Sequence, residues 1–416
     1  MTESNDRKIK LEVKDLTLIF GKRKKEALAM LEKGASKEAI LKKTKCTVGI
    51  NKASFEVYEG EVFVVMGLSG SGKSTLIRCL NRLNEPTAGQ VFFNDHDITR
   101  EGNKELLNTR RYEMSMVFQS FGLLPHKTIL ENAAFGLELR GDPKEEREKK
   151  AMAALETVGL KGYEEQYPSA MSGGMQQRVG LARALANDSE VLLMDEAFSA
   201  LDPLIKSDMQ DELLQIQSKL KKTIVFITHD LDEAIKLGDR IVIMKDGIIE
   251  QIGTAEEILT NPASEYVEAF TEKVDRKTII TAETLMFTKP LLLQLKKDGP
   301  MQAIRKMRTA SLNVLPVEDE NRLFMGYVWL QDVLKLADAK ESHLDKALKT
   351  EVPSVYKEYT VEEMLPLISN HNYPLAVVDR ANGKLLGLVT QTSLIIEATR
   401  FGDEEVRELI EIANDI

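Results

Sequence analysis

Eight consecutive residues, Gly67-Leu68-Ser69-Gly70-Ser71-Gly72-Lys73-Ser74, carry the pattern G-x-x-x-x-G-K-[ST], with Thr75 directly after. Glycines let a backbone curl so that successive N–H groups face an anion at a helix N-terminus. In such a loop Lys73 reaches the β- and γ-phosphates of a nucleoside triphosphate, and the Ser74 hydroxyl binds Mg²⁺. A second group, Val191-Leu192-Leu193-Met194-Asp195-Glu196, is an apolar run ending in two carboxylates. Beside a phosphate loop, Asp195 is expected to hold Mg²⁺ and Glu196 to polarise the water that attacks the γ-phosphorus. Lys73 and the metal would then stabilise the charge of the transition state.

These residues need a frame. Val62–Met66 precedes the loop as a short strand, and Thr75–Leu83 follows it as a helical run. Further β-rich runs at Val191–Met194, Ile224–Thr228 and Ile241–Met244 alternate with helical stretches up to about Asn261. That alternation predicts an α/β domain built on a mostly parallel sheet. From about Leu123 to Ser169 the pattern turns helical and charged, which predicts a helical insertion in that domain. Between Lys22 and Val48 lies a segment that reads as two short, basic amphipathic helices. It suits docking to a partner or to anionic headgroups, where each surface Lys or Arg is worth ~1 kcal/mol, and equally a solvated excursion.

Beyond about Thr281 the chain repeats itself. Gly326-Tyr327-Val328-Trp329-Leu330 parallels Gly387-Leu388-Val389-Thr390-Gln391, 61 residues later and without a gap. Ala303, Ile304, Met307 and Val317 find counterparts at the same offset, and each unit reads helix, strand, turn, strand, helix. The last stretch, 403–416, holds six acidic residues and one basic residue, and reads as a solvated helix end.

With 43% hydrophobic and 29% charged residues the composition is that of a globular chain of two or three domains. A net charge of −10, from 56 basic and 66 acidic residues, argues against nucleic-acid binding. No apolar run approaches the ~20 residues that span a bilayer, and Met1–Lys10 lacks the apolar core of a secretory signal. Two cysteines, Cys46 and Cys79, suit a reducing cytosol. Work at a membrane would need a separate spanning chain.

Four further features narrow the reading. Met171-Ser172-Gly173-Gly174-Met175-Gln176-Gln177-Arg178 precedes the Asp195 run, and Ser199-Ala200-Leu201-Asp202 follows Glu196. His229 stands after Ile224–Thr228, and Gln119 after Met116-Val117-Phe118. From about Leu11 to Phe270 the chain resembles the nucleotide-binding subunits of ABC transporters. That resemblance implies ATP and Mg²⁺ as cofactors, a homodimer, and a separate transmembrane permease. It implies that Gln119 contacts Mg²⁺ or the attacking water, that Ser172, Gly173 and Gly174 bind the γ-phosphate held by the opposite copy, and that Asp202 crosses the interface. His229 would hydrogen-bond the γ-phosphate, and Phe20 would stack on adenine. The family's signature commonly reads Leu-Ser-Gly-Gly-Gln; here Met171 and Met175 flank an intact Ser-Gly-Gly centre.

The insertion, the signature and the C-terminal repeat together resemble the ATP-binding subunits of osmoregulatory glycine betaine/proline betaine importers. On that resemblance the repeat is a tandem of cystathionine-β-synthase (CBS) modules, a site for a regulatory nucleotide or cyclic dinucleotide. The residues at the ribose-holding positions are Trp329 and Asp332 in one repeat, Thr390 and Ser393 in the other, so neither carries the full hydroxyl–carboxylate pair.

The expected architecture is therefore a P-loop NTPase domain of the ABC type at 1–270, with a helical subdomain at about 123–175. A linker at 271–284, CBS modules at about 285–345 and 346–402, and the acidic tail follow. The expected function is ATP hydrolysis that powers uptake of a compatible solute, regulated by ionic strength or a nucleotide. The place is the cytoplasmic face of the membrane, with a substrate-binding domain or protein on the far side and an anionic lipid surface nearby. Two other readings are a soluble ABC-type ATPase acting on nucleic acid or ribosomes, and an importer ATPase for another small solute.

Overall fold

A computed structural model of the chain describes residues 7–119, 122–199, 201–272, 274, 276–368, 371 and 373–399, so the acidic stretch 403–416 and Ala200 lie outside the described residues. The chain divides into two compact units, Met1–Thr271 and Glu272–Ile416.

The first unit opens with β1 (Ile9–Phe20), α1 (Lys24–Glu32), α2 (Lys37–Thr44), β2 (Thr47–Tyr58), β3 (Val62–Met66) and α3 (Lys73–Leu80). It continues through β4 (Ala88–Phe93), β5 (His96–Asp97), α4 (Asn103–Asn108), β6 (Met114–Val117), α5 (Ile129–Arg140), α6 (Lys144–Thr157) and α7 (Gly173–Ala186). Then come β7 (Val191–Asp195), α8 (Pro203–Leu220), β8 (Thr223–Thr228), α9 (Leu231–Leu237), β9 (Arg240–Lys245), β10 (Ile248–Gly253), α10 (Ala255–Thr260) and α11 (Glu265–Thr271).

Six strands form one sheet in the order β10-β9-β3-β8-β7-β6. All pairs are parallel except β9 with β10. Every residue of β3, β7 and β8 is buried, as in a sheet covered on both faces. Successive side chains leave opposite faces of a strand. Val64, Met66, Met194 and Phe226 accordingly join a core with Ala133, Leu155 and Val179 from the helices. Phe63, Val65, Leu193 and Val225 join a second core with Leu11, Val57 and Leu76.

That second core is closed by a four-stranded antiparallel sheet, β2-β1-β4-β5, which the sequence reading did not anticipate. Its signal lay in β2, where buried Val48, Ile50, Ala53, Phe55 and Val57 alternate with more exposed neighbours apart from one irregular step. The segment after β1 forms two short helices, as expected. Ala27 and Ile40 pack with Ile19, Cys46 and Val48, so this excursion carries its own small core. Helix α3 stops at Leu80, short of the expected Leu83, because Arg82 turns to φ +52° and its guanidinium donates to the carbonyls of Ile98 and Glu101 at 3.1 and 2.7 Å.

The second unit runs α12 (Ala282–Leu285), β11 (Leu293–Gln294), α13 (Pro300–Ala310), β12 (Val314–Glu318), β13 (Phe324–Trp329), α14 (Leu330–Asp338), β14 (Ser354–Val355), α15 (Val361–Ile368), β15 (Leu375–Val378), β16 (Leu385–Val389) and α16 (Gln391–Thr399). Two three-stranded sheets result, β11-β12-β13 and β14-β15-β16, each with a parallel and an antiparallel pair. The two-residue strands β11 and β14 obey the same offset as the rest, yet were too short to read from periodicity. Gly326 is a position the fold demands. At φ +135°, a Cβ there would lie 2.1 Å from the Lys349 carbonyl oxygen. The segment 271–284, expected as a linker, is folded in part. Buried Arg276 pairs with Glu397 at 2.7 Å, Ala282 is buried, and Thr281 bridges Thr360.

Candidate active site

The phosphate loop leaves the buried strand β3 and enters α3, so its curl is fixed at both ends. Gly67 sits at φ +150°, and a Cβ there would fall 2.3 Å from the Met244 carbonyl oxygen at the end of β9. Gly70 and Gly72 are also left-handed, at +83° and +105°. The loop backbone thus packs directly onto β9 and leaves its other side for an anion.

Lys73 opens α3 and is buried. Its Nζ donates to the carbonyls of Gly67 at 2.8 Å and Leu68 at 3.1 Å. Burial pushes its ammonium below the ordinary range, against the opposing pull of Glu196 and Asp195. A buried cation held mainly by carbonyls is poised to exchange them for a phosphate. Ser69 is exposed, Ser74 and Thr75 are half-buried, and the Ser71 hydroxyl is buried with no hydrogen-bond partner among the described residues.

Asp195 ends β7 and is 2% exposed. Its Oδ2 lies 3.2 Å from the Arg78 guanidinium, while Oδ1 is buried without a partner among the described residues. An orphaned carboxylate oxygen of this kind is costly. It fits a Mg²⁺ ion with its waters, as does the Ser74 hydroxyl in the first turn of α3.

Glu196 adopts φ +47°, a left-handed backbone uncommon outside glycine, which stores strain at this point. The turn aims its carboxylate at three groups. Gln119 Nε2 donates to Oε2 at 3.0 Å, Lys73 Nζ is 3.9 Å from Oε1, and His229 Nδ1 is 3.8 Å from Oε2. Gln119 also reaches the Ser199 hydroxyl at 3.5 Å. His229 remains largely exposed just past β8. The following Asp230 caps α9 by accepting from the backbone of Asp232 and Glu233, and pairs with Lys206 Nζ at 2.6 Å. Burial raises the Asp230 carboxyl, but Lys206 and the two backbone donors outweigh it and hold it below its usual range.

Four residues expected at the site make no hydrogen bond or ion pair with these groups among the described residues. Ser172 is exposed at the start of α7, its Oγ accepting from Met175 N at 3.4 Å, with Gly173 and Gly174 beside it. Asp202 is exposed at the start of α8 and makes no capping bond. These two helix starts touch each other, since a Cβ on Gly174 would meet Ile205 Cγ2 at 2.6 Å. The start of α7 and the start of α8 therefore form one edge that carries Ser172 and Asp202.

Phe20 is 43% exposed at the end of β1, so it does not serve as strand core. A Cβ on Gly49 would lie 2.9 Å from its ring and 3.3 Å from Thr75 Cγ2, which places the ring beside the first turn of α3. Arg78 and Lys206 are site-adjacent residues the sequence reading missed. The signal for Arg78 was its place one turn past Ser74 on the same helix face.

In the second unit Trp329 packs edge-on to Tyr373 at 5.3 Å, under the Lys349 ammonium at 4.3 Å. Asp332 pairs with Lys335 and Lys349 at 3.0 and 3.5 Å. Thr390 and Ser393 hydrogen-bond to each other at 3.1 Å.

Comparison with known proteins agrees with this geometry. The family model described as ABC transporter matches residues 50–199, and the CBS domain model matches residues 345–399. The glycine betaine/carnitine transport ATP-binding protein GbuA of Listeria monocytogenes is 52% identical over 386 residues, covering 93% of this chain and 96% of that protein. The glycine betaine/proline betaine transport system ATP-binding protein ProV of Escherichia coli is 46% identical over 396 residues, covering 95% and 98%. An ATP-binding cassette solved as a dimer in a post-hydrolysis state with ADP and Pi matches 59% of this chain and 98% of its own, at 30% identity and a TM-score of 0.50.

Proposed function

Since the chain belongs to the ATP-binding subunits of glycine betaine/proline betaine ABC transporters, we propose that it hydrolyses ATP as a homodimer to power uptake of a quaternary-amine solute through a separate permease. The observation that carries this reading is the convergence of Lys73, Gln119 and His229 on the Glu196 carboxylate, beside the orphaned oxygen of Asp195.

In this reading the loop from Gly67 to Thr75 wraps the phosphates and Phe20 offers a face to adenine. Ser74, Asp195 and Gln119 hold Mg²⁺, which when bound would neutralise phosphate charge. Glu196, fixed by Gln119, accepts the proton of the attacking water. Lys73 exchanges its loop carbonyls for the γ-phosphate and stabilises the developing charge, and His229 donates to the same group. Ser172, Gly173, Gly174 and Asp202 of a second copy close over the triphosphate. Loss of the shared anion on hydrolysis opens the pair.

The subunit works at the cytoplasmic face of the membrane, with a substrate-binding domain or protein on the far side. No helix among the described residues is long and apolar enough to cross a bilayer. The tandem CBS unit, with helix α2 and the basic residues Lys22–Lys25 near anionic lipid, adjusts activity to ionic strength or to a bound nucleotide or cyclic dinucleotide. Rising salt shortens the screening length below ~8 Å and weakens such contacts.

The test is reconstitution of the subunit with its permease in vesicles. ATP-dependent accumulation of labelled glycine betaine is expected. ATP hydrolysis that proceeds without movement of any quaternary amine would reject the transport assignment.

A further inference from the structure

The backbone step that carries His229 is pinned on both sides. Before it, the buried Thr228 hydroxyl accepts from Asp230 N at 3.0 Å and donates to the Glu233 carboxylate. After it, Asp230 Oδ1 accepts from the N–H groups of Asp232 and Glu233 at 3.0 and 3.3 Å, at the start of α9. One residue before Thr228, the Ile227 carbonyl accepts from Glu196 N at 3.1 Å, so the same stretch also seats the acid of the site.

Glu233 stands at the centre of this arrangement and belongs to none of the motifs. It is 4% exposed, and a carboxylate so deeply buried is costly unless several donors meet it. Thr228 donates to one of its oxygens and Gln210 Nε2 to the other, the latter at 3.1 Å. Lys206 Nζ lies 3.7 Å from Oε2 and pairs with Asp230 at 2.6 Å. Lys206 and Gln210 stand one and two turns past Asp202 on α8, and Ile205 beside them abuts Gly174 at the start of α7. An unbroken set of polar contacts therefore joins the His229 step to the first turns of α8.

We propose that Glu233 is a positioning residue for ATP hydrolysis: through Thr228 it fixes the step that carries His229, and through Gln210 and Lys206 it ties that step to α8. This rests on the ATPase reading above, in which His229 donates to the γ-phosphate. A hydrogen bond to that group strengthens as charge develops in the transition state. Loosening the step therefore slows the chemistry and leaves ATP binding almost intact.

The experiment uses the full chain reconstituted with its permease. For each variant it measures kcat and KM for Mg-ATP, the Kd for a fluorescent ATP analogue, and thermal unfolding. Thr228→Val keeps the shape of the side chain and removes the hydroxyl, whereas Thr228→Ser keeps the hydroxyl. Gln210→Met removes the α8 donor to Glu233 and touches no bond of Asp230. One lost hydrogen bond corresponds to about a three- to tenfold fall in kcat for Thr228→Val and for Gln210→Met, with KM and Kd within about twofold of wild type. Thr228→Ser should retain the wild-type kcat. In a His229→Ala background neither Thr228→Val nor Gln210→Met should lower kcat further, because both act through that imidazole. Lys236→Met, which breaks a separate tie between α9 and Asp211 at 2.8 Å, should leave all three constants unchanged.

A wild-type kcat in Gln210→Met overturns the proposal. So does an undiminished loss in the His229→Ala background, or a Thr228→Ser chain as slow as Thr228→Val. If Thr228→Val does not fold, Gln210→Met decides the matter by itself. A wild-type complex that binds ATP but never releases phosphate sinks the ATPase reading and this role with it, whereas failure of the variants beside an active wild type overturns the role of Glu233 alone.

Discussion

Glu196→Gln replaces one carboxylate oxygen by an amide nitrogen and keeps the shape of the side chain. In the structure that oxygen pair has one direct donor, Gln119 at 3.0 Å, and two cations or potential cations just under 4 Å away. The substituted amide can still turn its carbonyl toward Gln119, so the strained turn should survive. What disappears is the ability to accept a proton from water. General-base catalysis is worth about 10²–10⁴ in rate, or ~2.7–5.4 kcal/mol of barrier. Binding should move the other way. At an effective dielectric of ~20, a unit charge 3.9 Å from Lys73 attracts it by at most about 4 kcal/mol. Removing that competitor frees the ammonium for phosphate. Phosphate release should therefore fall at least ~100-fold, while the Kd for ATP, read by equilibrium dialysis, holds or tightens. Turnover within about tenfold of wild type would remove Glu196 from the proton-accepting role, and a large loss of binding would show that its charge organises the loop.

Three other perturbations bear on separate parts of the fold. Gly67→Ala forces a Cβ onto the Met244 carbonyl at φ +150°, and should abolish ATP binding and cost about 1–3 kcal/mol in thermal unfolding. Gly70→Ala, with nothing within 4 Å, should be milder; equal effects would mean the close approach is unimportant. Tyr327→Phe removes a buried hydroxyl that donates to the Pro374 carbonyl at 2.7 Å, and should lower the stability of the second unit by ~1–3 kcal/mol, read by denaturant unfolding. The Glu113 carboxyl is raised by burial and then by Glu101 and Glu190. A raised folded-state carboxyl favours the fold below its unfolded pKa, and that advantage is lost as pH rises through the folded value. Glu113→Gln should therefore raise Tm near pH 7 and have little effect near pH 4. A gain of equal size at both pH values contradicts the account.

The strands that carry the site were plain in the sequence because each is buried on both faces, so Val62–Met66 and Ile224–Thr228 read as unbroken apolar runs. The repeat was legible for a related reason. A shared offset survives even where Thr replaces Trp at the end of the strand. The antiparallel sheet was harder, since bulges between β1 and β2 interrupt its alternation near Leu16 and Leu18. Among the site residues, those in the phosphate loop and at the end of β7 follow from their motifs, whereas the reading of His229 came from the family resemblance. Lys206 follows from neither, because its pairing with Asp230 arises only when distant segments meet. The end of α3 depends on how the Arg82 side chain finds two carbonyls, and no local pattern encodes that.

The chain holds a single tryptophan, and it lies where the two repeats of the second unit come together, edge to face with Tyr373 and below the Lys349 ammonium. Light absorbed by indole is thus emitted from one known place. Any event that parts the two halves of that unit should change the colour or lifetime of this emission, with no dye attached and no indole background from the catalytic unit.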